Sequence, residues 1–255
     1  MLYKVNDIKG FKLNGRDGEI GTVREFYFDD QYWTLRYLVA DTGTWLTDRK
    51  VLITPYSLLS INSAERNILV DLTKKQIENS PSLETDMPVS RQFEETYYGY
   101  YGLPMYWAGP YMWGSDSFII RDEEKRSKQN INHTPWDPHL RSTHDVVGHN
   151  IQASDGEIGH VADFVIDDES WAIRYLIVDT KNWLLGKKVL IAPKWIEGIS
   201  WEESKVYINL LRETILHSPE YNAEDLLTRD YEADLHKHYN RKGYWTDETF
   251  KKLVQ

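Results

Sequence analysis

The sequence predicts a mainly β protein, built as two small antiparallel β-barrels in tandem, each followed by a short helical or aromatic tail. Three observations predict it. The motif Asp17-Gly18-Glu19-Ile20-Gly21 recurs as Asp155-Gly156-Glu157-Ile158-Gly159, an offset of 138 residues. Apolar and polar side chains alternate with period two inside each copy. Turn dipeptides separate the alternating runs at short intervals, as in compact all-β folds.

The repeat sets the organisation. The same offset carries Trp33 to Trp171, Arg36-Tyr37-Leu38 to Arg174-Tyr175-Leu176, and Asp41-Thr42 to Asp179-Thr180. It carries Trp45-Leu46 to Trp183-Leu184, Lys50 through Ile53 to Lys188 through Ile191, and Pro55 to Pro193. Between residues 17 and 61 there are 23 identities in 45 ungapped positions. In the tails, Ser80-Pro81 matches Ser218-Pro219 and Tyr106-Trp107 matches Tyr244-Trp245. The expected divisions are a first barrel over 1–85, an aromatic tail and polar linker over 86–137, a second barrel over 138–222 and a helical C-terminal tail over 223–255.

Taken in order, Asp17-Gly18 is a turn and Ile20 to Phe28 a strand, closed by a second turn at Asp29-Asp30. Trp33, Leu35, Tyr37 and Val39 then alternate with Thr34, Arg36, Leu38 and Ala40, the pattern of a strand buried more on one side. Val51 to Ile53 is a third strand, stopped by Pro55, and Leu58 to Ile61 a fourth. Ile68, Val70 and Leu72 mark a fifth, echoed by Val206, Ile208 and Leu210. So small a sheet is expected to close into a barrel, because closure removes exposed edges. Thr73 to Asn79 reads as a short helical turn and Thr228 to Tyr239 as a helix. Residues 115–137, with the run Asp122 to Asn130, read as a polar linker.

Composition narrows the function. The chain of 255 residues is 41% hydrophobic and 27% charged, with 17 Tyr and 10 Trp. It has no Cys, which removes disulfides, Cys-ligated metals and thiol nucleophiles. No apolar run approaches the roughly 20 residues of a membrane span, and the N-terminal residues lack a signal-peptide core. A cytoplasmic location is expected. The net charge of −10, with scattered cations, disfavours nucleic acid as the main partner.

The arrangement resembles the PRC-barrel family. The residues that carry the resemblance are Asp17 to Gly21, Asp29-Asp30, Tyr37 to Thr42 and Arg49 to Pro55, and in the second copy Asp155 to Gly159, Asp167-Asp168, Tyr175 to Thr180 and Lys187 to Pro193. The aromatic stretch from Tyr97 to Trp107 is similar to the tails of bacterial two-barrel members. The family includes the barrel of the photosynthetic reaction-centre H subunit and the C-terminal barrel of a ribosome maturation factor. The resemblance implies a protein-docking module rather than an enzyme. Neither specific role carries over, since the transmembrane helix of the first and the extra N-terminal domain of the second have no counterpart here.

Candidate sites are few. The pairs Asp29-Asp30 and Asp167-Asp168 fit turn chemistry, with cation binding or a proton relay as the sharper reading. Arg36 and Arg174 are expected to pair with Asp41 and Asp179, or with another acidic side chain; the alternative is a polar cleft formed by Arg36, Asp41, Arg174 and Asp179 that takes an anion. Five His fall between His133 and His160 (His133, His139, His144, His149 and His160), with His236 and His238 further on. They read as incidental rather than as a metal set. Trp33, Trp45, Trp171 and Trp183 read as packing residues.

The tail aromatics Tyr97, Tyr98, Tyr100, Tyr101, Tyr106 and Trp107, and their echo Tyr244 and Trp245, are candidate partner or inter-barrel contacts. Four Gly and two Pro between Gly99 and Gly114 argue against a regular helix there. No nucleophile elbow, phosphate loop or zinc-protease motif is present.

The expectation is a non-catalytic protein-binding or assembly module with no cofactor or metal, binding a protein partner or itself as a homo-oligomer, as if a barrel dimer had been fused. The rivals are a small-ligand or ion sensor using an inter-barrel cleft and, more weakly, an RNA- or ribosome-associated factor. Loop differences such as Gly43-Thr44 against Lys181-Asn182 leave open whether the copies share one role.

Overall fold

The computed structural model describes residues 1–46, 49–84, 89–120, 140–180, 187–222 and 226–246. Most of the expected linker (121–137), His133, His139, Lys181-Asn182, Trp183-Leu184 and the last residues of the C-terminal tail lie outside them.

The first repeat runs β1 (Leu2–Lys4), α1 (Val5–Ile8), β2 (Lys12–Gly15), β3 (Gly18–Asp29), β4 (Thr34–Asp41), β5 (Arg49–Ile53), β6 (Leu58–Asn62), β7 (Asn67–Val70), α2 (Lys74–Glu78), β8 (Leu83–Glu84) and α3 (Arg91–Tyr101). The second runs β9 (Leu140–Ser142), α4 (Thr143–Val146), β10 (Asn150–Ala153), β11 (Gly156–Asp167), β12 (Ile173–Asp179), β13 (Lys188–Ile191), β14 (Ile196–Ser200), β15 (Lys205–Ile208), α5 (Arg212–Leu216) and α6 (Arg229–His238). The offset of 138 seen in sequence maps α3 onto α6 and β1 onto β9 without adjustment.

The recurring Asp-Gly turn motif has a structural job in each copy. Asp17 Oδ1 accepts Lys74 N at 2.8 Å, and Asp155 Oδ1 accepts Arg212 N at 2.8 Å. Each aspartate thereby satisfies a backbone donor that the first turn of α2 or α5 leaves without an intrahelical partner. A Cβ on Gly21 would sit 2.0 Å from Asp41 O, and one on Gly159 would sit 2.1 Å from Asp179 O. Only glycine permits β3 and β4, or β11 and β12, to approach this closely.

The fold is mainly β, with two corrections to the expected barrels. The sheets run as open ladders among the described residues: β6-β7-β2-β3-β4-β5-β8 and β13-β12-β11-β10-β15-β14. No pairing joins β5 to β6 among the described residues. Between them Pro55 has no N–H, and Ser57 N is bonded to Thr54 O at 2.9 Å in a 3-10 turn. Pro193 and the Trp195 N to Ala192 O bond repeat the arrangement. The strands are also not all antiparallel. β2 pairs with β7, and β10 with β15, in parallel.

The chain divides into two compact units. The first comprises Met1–Asp145 together with Phe164–Arg174, and the second Val146–Asp163 together with Tyr175–Gln255. A hairpin encoded by the second repeat is thus part of the first unit. Within that unit β1 pairs with the end of β11, Leu2 opposite Asp167 and Lys4 opposite Val165. There too β9 pairs with the end of β3, Leu140 opposite Asp29 and Ser142 opposite Tyr27. The two pairings are related by the repeat offset. So are Leu35 N to Trp171 O at 2.8 Å and Ile173 N to Trp33 O at 2.7 Å, which flank a bridge between Thr34 and Ala172. Each repeat therefore lends its leading strand to the long strand of the other.

Burial corrects a further expectation. Thr34 through Ala40 are all buried, and so is all of β12. The strand alternates in residue type but has no solvent face, because α3 and the segment after it cover what would otherwise be wet. In the second unit α6 does the same for β12.

Two glycine substitutions test this reading. Gly21→Ala should lose about 2 kcal/mol or more, since the new Cβ meets backbone that cannot yield. Gly99→Ala, in α3 where an added Cβ would meet nothing within 4 Å, should gain about 0.5–1 kcal/mol. Urea unfolding of both variants measures the contrast.

Candidate functional site

In each unit a helix is clasped to the central strand by one buried carboxylate. Ser90 caps α3 by accepting Phe93 N at 3.2 Å, and Thr228 caps α6 by accepting Tyr231 N at 3.3 Å. The C-terminal ends match as well. Gly102 at φ 61° and Asn240 at φ 50° take the left-handed conformation, and Leu103 N to Tyr98 O and Arg241 N to His236 O close the same turn. The aromatic stretch expected to resist helix formation is therefore helical through Tyr101. Gly99 is tolerated on the exposed side, and Gly102 ends the helix.

Capping fixes which way the helix faces. Glu94, 2% exposed, points into the unit. Its Oε1 accepts Tyr37 OH and Tyr106 OH, both at 2.9 Å, and its Oε2 lies 3.0 Å from Arg91 Nη1. Arg91 in turn lies over the Trp107 ring at 4.0 Å. In the second unit Glu232 Oε1 accepts Tyr175 OH at 2.9 Å, Oε2 lies 2.9 Å from Arg229 Nη1, and Arg229 lies over Trp245 at 4.4 Å. The whole constellation is one motif built twice, Arg-x-x-Glu on a helix followed by Tyr-Trp.

Burial pushes the Glu94 carboxyl up to about 7, against the opposing pull of Arg91, the two phenol donors and Arg36. Tyr37 and Tyr106 are raised well above the usual phenol range by burial, and then by the neighbouring Glu94. The units differ around the motif. Tyr97 OH donates to Leu52 O at 2.8 Å, and Tyr98 OH lies 3.2 Å from Thr54 Oγ1. The counterparts of Thr54, Tyr97 and Tyr98 are Ala192, Leu235 and His236. His236 Nε2 lies 3.0 Å from Tyr175 OH, and burial lowers its pKa.

Arg36 is fully buried but does not pair with Asp41. Its Nε donates to Asp29 Oδ2 at 2.6 Å and its Nη1 to Met112 O, while the guanidinium lies over Tyr106 at 4.0 Å and Trp113 at 4.7 Å. Arg174 likewise pairs with Asp167, its Nε 3.2 Å from Oδ2, and donates to Ser170 Oγ at 3.0 Å. The strand brings each Arg back to the aspartate that opens its own hairpin, seven residues earlier. Asp41 is exposed and accepts Gly43 N at 2.9 Å, and Asp179 is buried opposite Lys188 in the ladder.

The first aspartate of each doubled pair builds its turn, and Asp30 reaches a distant arginine. Asp29 Oδ1 accepts Tyr32 N at 2.6 Å, Asp167 Oδ1 accepts Glu169 N at 3.0 Å, and Asp30 Oδ2 takes Arg141 Nε at 3.2 Å.

The remaining candidates separate. Tyr97, Tyr98 and Tyr106 are core; Tyr101 and Trp107 are half-buried; Tyr100 is exposed, its OH donating to Gln76 O at 2.9 Å. Tyr244 and Trp245 pack beside Arg229. His149 is buried against Trp201, while His144 is exposed beside Asp145. Among the described residues no three His, Asp or Glu side chains converge as a metal site requires. Nor, among them, is any helix long and apolar enough to cross a membrane.

Sequence reasoning missed Glu94, Glu232, Arg91 and Arg229. The signal was available: Arg-x-x-Glu recurs at the same offset, between the matched Ser-Pro and Tyr-Trp pairs of the tails.

The pairing of Arg36 makes a direct prediction. Asp29→Ala leaves a buried guanidinium without its carboxylate and should lose about 3–5 kcal/mol. Asp41→Ala removes one exposed turn bond and should lose less than about 1 kcal/mol. Chemical denaturation of the two variants distinguishes the assignments.

A family model described as the PRC-barrel domain matches residues 1–77 and 138–215. A search among curated proteins finds no match to the chain.

Proposed function

We propose a docking role from one premise: the chain belongs to the PRC-barrel domain family, matched over both of its repeats. In this reading it is a cytoplasmic, non-catalytic protein-binding or assembly module. Its buried ionisable groups support the reading, because they serve the fold. Glu94, Glu232, Arg36 and Arg174 each have partners inside their own unit.

The observation that carries the proposal is a pair of exposed leucines on the β6–β7 hairpin of the first repeat. β6 stands at the end of its sheet order, and Leu59 is the extra residue of a bulge opposite Leu69 and Val70. Leu59 is 53% exposed and Leu69 44%. The same positions of the second repeat are Glu197 and Tyr207, and Tyr207 OH donates to Glu203 Oε2 at 2.6 Å. One hairpin thus offers leucines at a strand edge where its twin offers charge and a satisfied phenol. An edge strand with exposed leucines suits a partner that adds a strand or lays an apolar face on the hairpin.

The test is affinity capture of the tagged chain from its own cell lysate at low and high salt, with a Leu59→Glu/Leu69→Glu variant beside it. The expected outcome is a salt-resistant protein partner whose retention falls at least tenfold in the variant, with the circular dichroism spectrum unchanged. Equal retention by both chains would remove the hairpin from the proposal. Recovery of the wild-type chain alone would count against docking itself.

A further inference from the structure

We propose that α3, with the aromatic segment that follows it, is a proton-controlled cover on β4 and β5, and that Glu94 is its catch.

The geometry sets two demands on Glu94 against each other. Three donors converge on its carboxylate: Tyr37 OH from β4, Tyr106 OH from the segment after the helix, and Arg91 from the helix itself. The remaining titratable and charged groups facing it are Arg36 on β4, held by Asp29, and Tyr98 on α3. This inventory suits an ionised carboxylate, because a protonated one would add a hydroxyl to a group of donors. Burial demands the reverse, since the ion has lost nearly all contact with water. The two demands come near to balance around neutrality, where the carboxyl titrates at about 7 against an ordinary 4.5.

The direction of the response follows. Below pH about 4.5 the acid is protonated whether the cover is closed or open, and closure is at its most favourable. Between about 4.5 and 7 only the closed form holds the proton, so every rise in pH favours opening. Above about 7 both forms are ionised and the dependence ends. Opening parts Tyr97 OH from Leu52 O and Tyr98 from Thr54, and uncovers the central strand.

The measurement is amide hydrogen exchange of the full chain from pH 5 to 8, corrected for the intrinsic exchange rate. Protection in residues 93–101 should fall on the order of 100-fold between pH 5 and 7.5, the factor that follows from the two titration points. Protection in β3 should change far less. Glu94→Gln should flatten the pH profile of the helix. If that variant does not fold, Tyr106→Phe removes one donor from the carboxylate and should shift the midpoint upward. A flat profile in the wild-type chain, a slope that persists in Glu94→Gln, or an unmoved midpoint in Tyr106→Phe would each overturn the proposal.

Discussion

The central strand of each repeat is buried on both sides, and most of the remaining structure answers to that constraint. A strand with one wet face can send its polar side chains to water. β4 and β12 cannot, yet they carry an arginine and a tyrosine in succession at Arg36-Tyr37 and Arg174-Tyr175. Unpartnered, a buried guanidinium or phenol would be severely destabilising. The aspartate that opens each hairpin meets the arginine, and the glutamate of the covering helix meets the tyrosine. The turn residues, the helix cap and the Arg-x-x-Glu spacing are therefore parts of one solution to the desolvation of a single strand.

The duplication supplies an internal comparison of what that solution requires. The arginine, tyrosine and both carboxylates recur in each repeat. The groups beside them changed: Tyr97, whose OH bonds Leu52 O and Thr54 N, gives way to Leu235, and Thr54, whose Oγ1 lies beside Tyr98 OH, gives way to Ala192. Replacement of Tyr98 by His236 keeps a ring in place and puts a second titratable group beside Tyr175.

Much of this was legible in the sequence, and what was not has physical reasons. The repeat, the Asp-Gly turns, most strands, α2 and α6 follow from local pattern, because turn chemistry and side-chain period are local properties. Strand partners are not. Nothing in Leu2 to Lys4 says that it pairs with Val165 to Asp167, and nothing in Ile68 to Val70 says that it runs parallel to β2. Burial of both faces was hidden because Arg36 and Thr34 interrupt the apolar run and imitate a wet face. The helical start of the aromatic tail was hidden because its glycines and prolines read as breakers, although Gly102 is a terminator and Pro104 lies beyond the helix end. Glu94 was overlooked because a single carboxylate among aromatics looks solvated until its three donors are in view.

The exchange of leading strands has a consequence for how the chain comes into being. The first unit includes Phe164–Arg174, so its last β-ladder lacks a partner until the ribosome has delivered residues well into the second repeat. Until then β1 has no edge to join, and the long strand of the first repeat waits for β9. Contacts that span so much sequence close late and slowly, with unpaired strands exposed in the meantime. Duplication within one polypeptide tethers the two halves of that exchange, so the second half arrives at high local concentration and from the same chain rather than from a neighbouring nascent one.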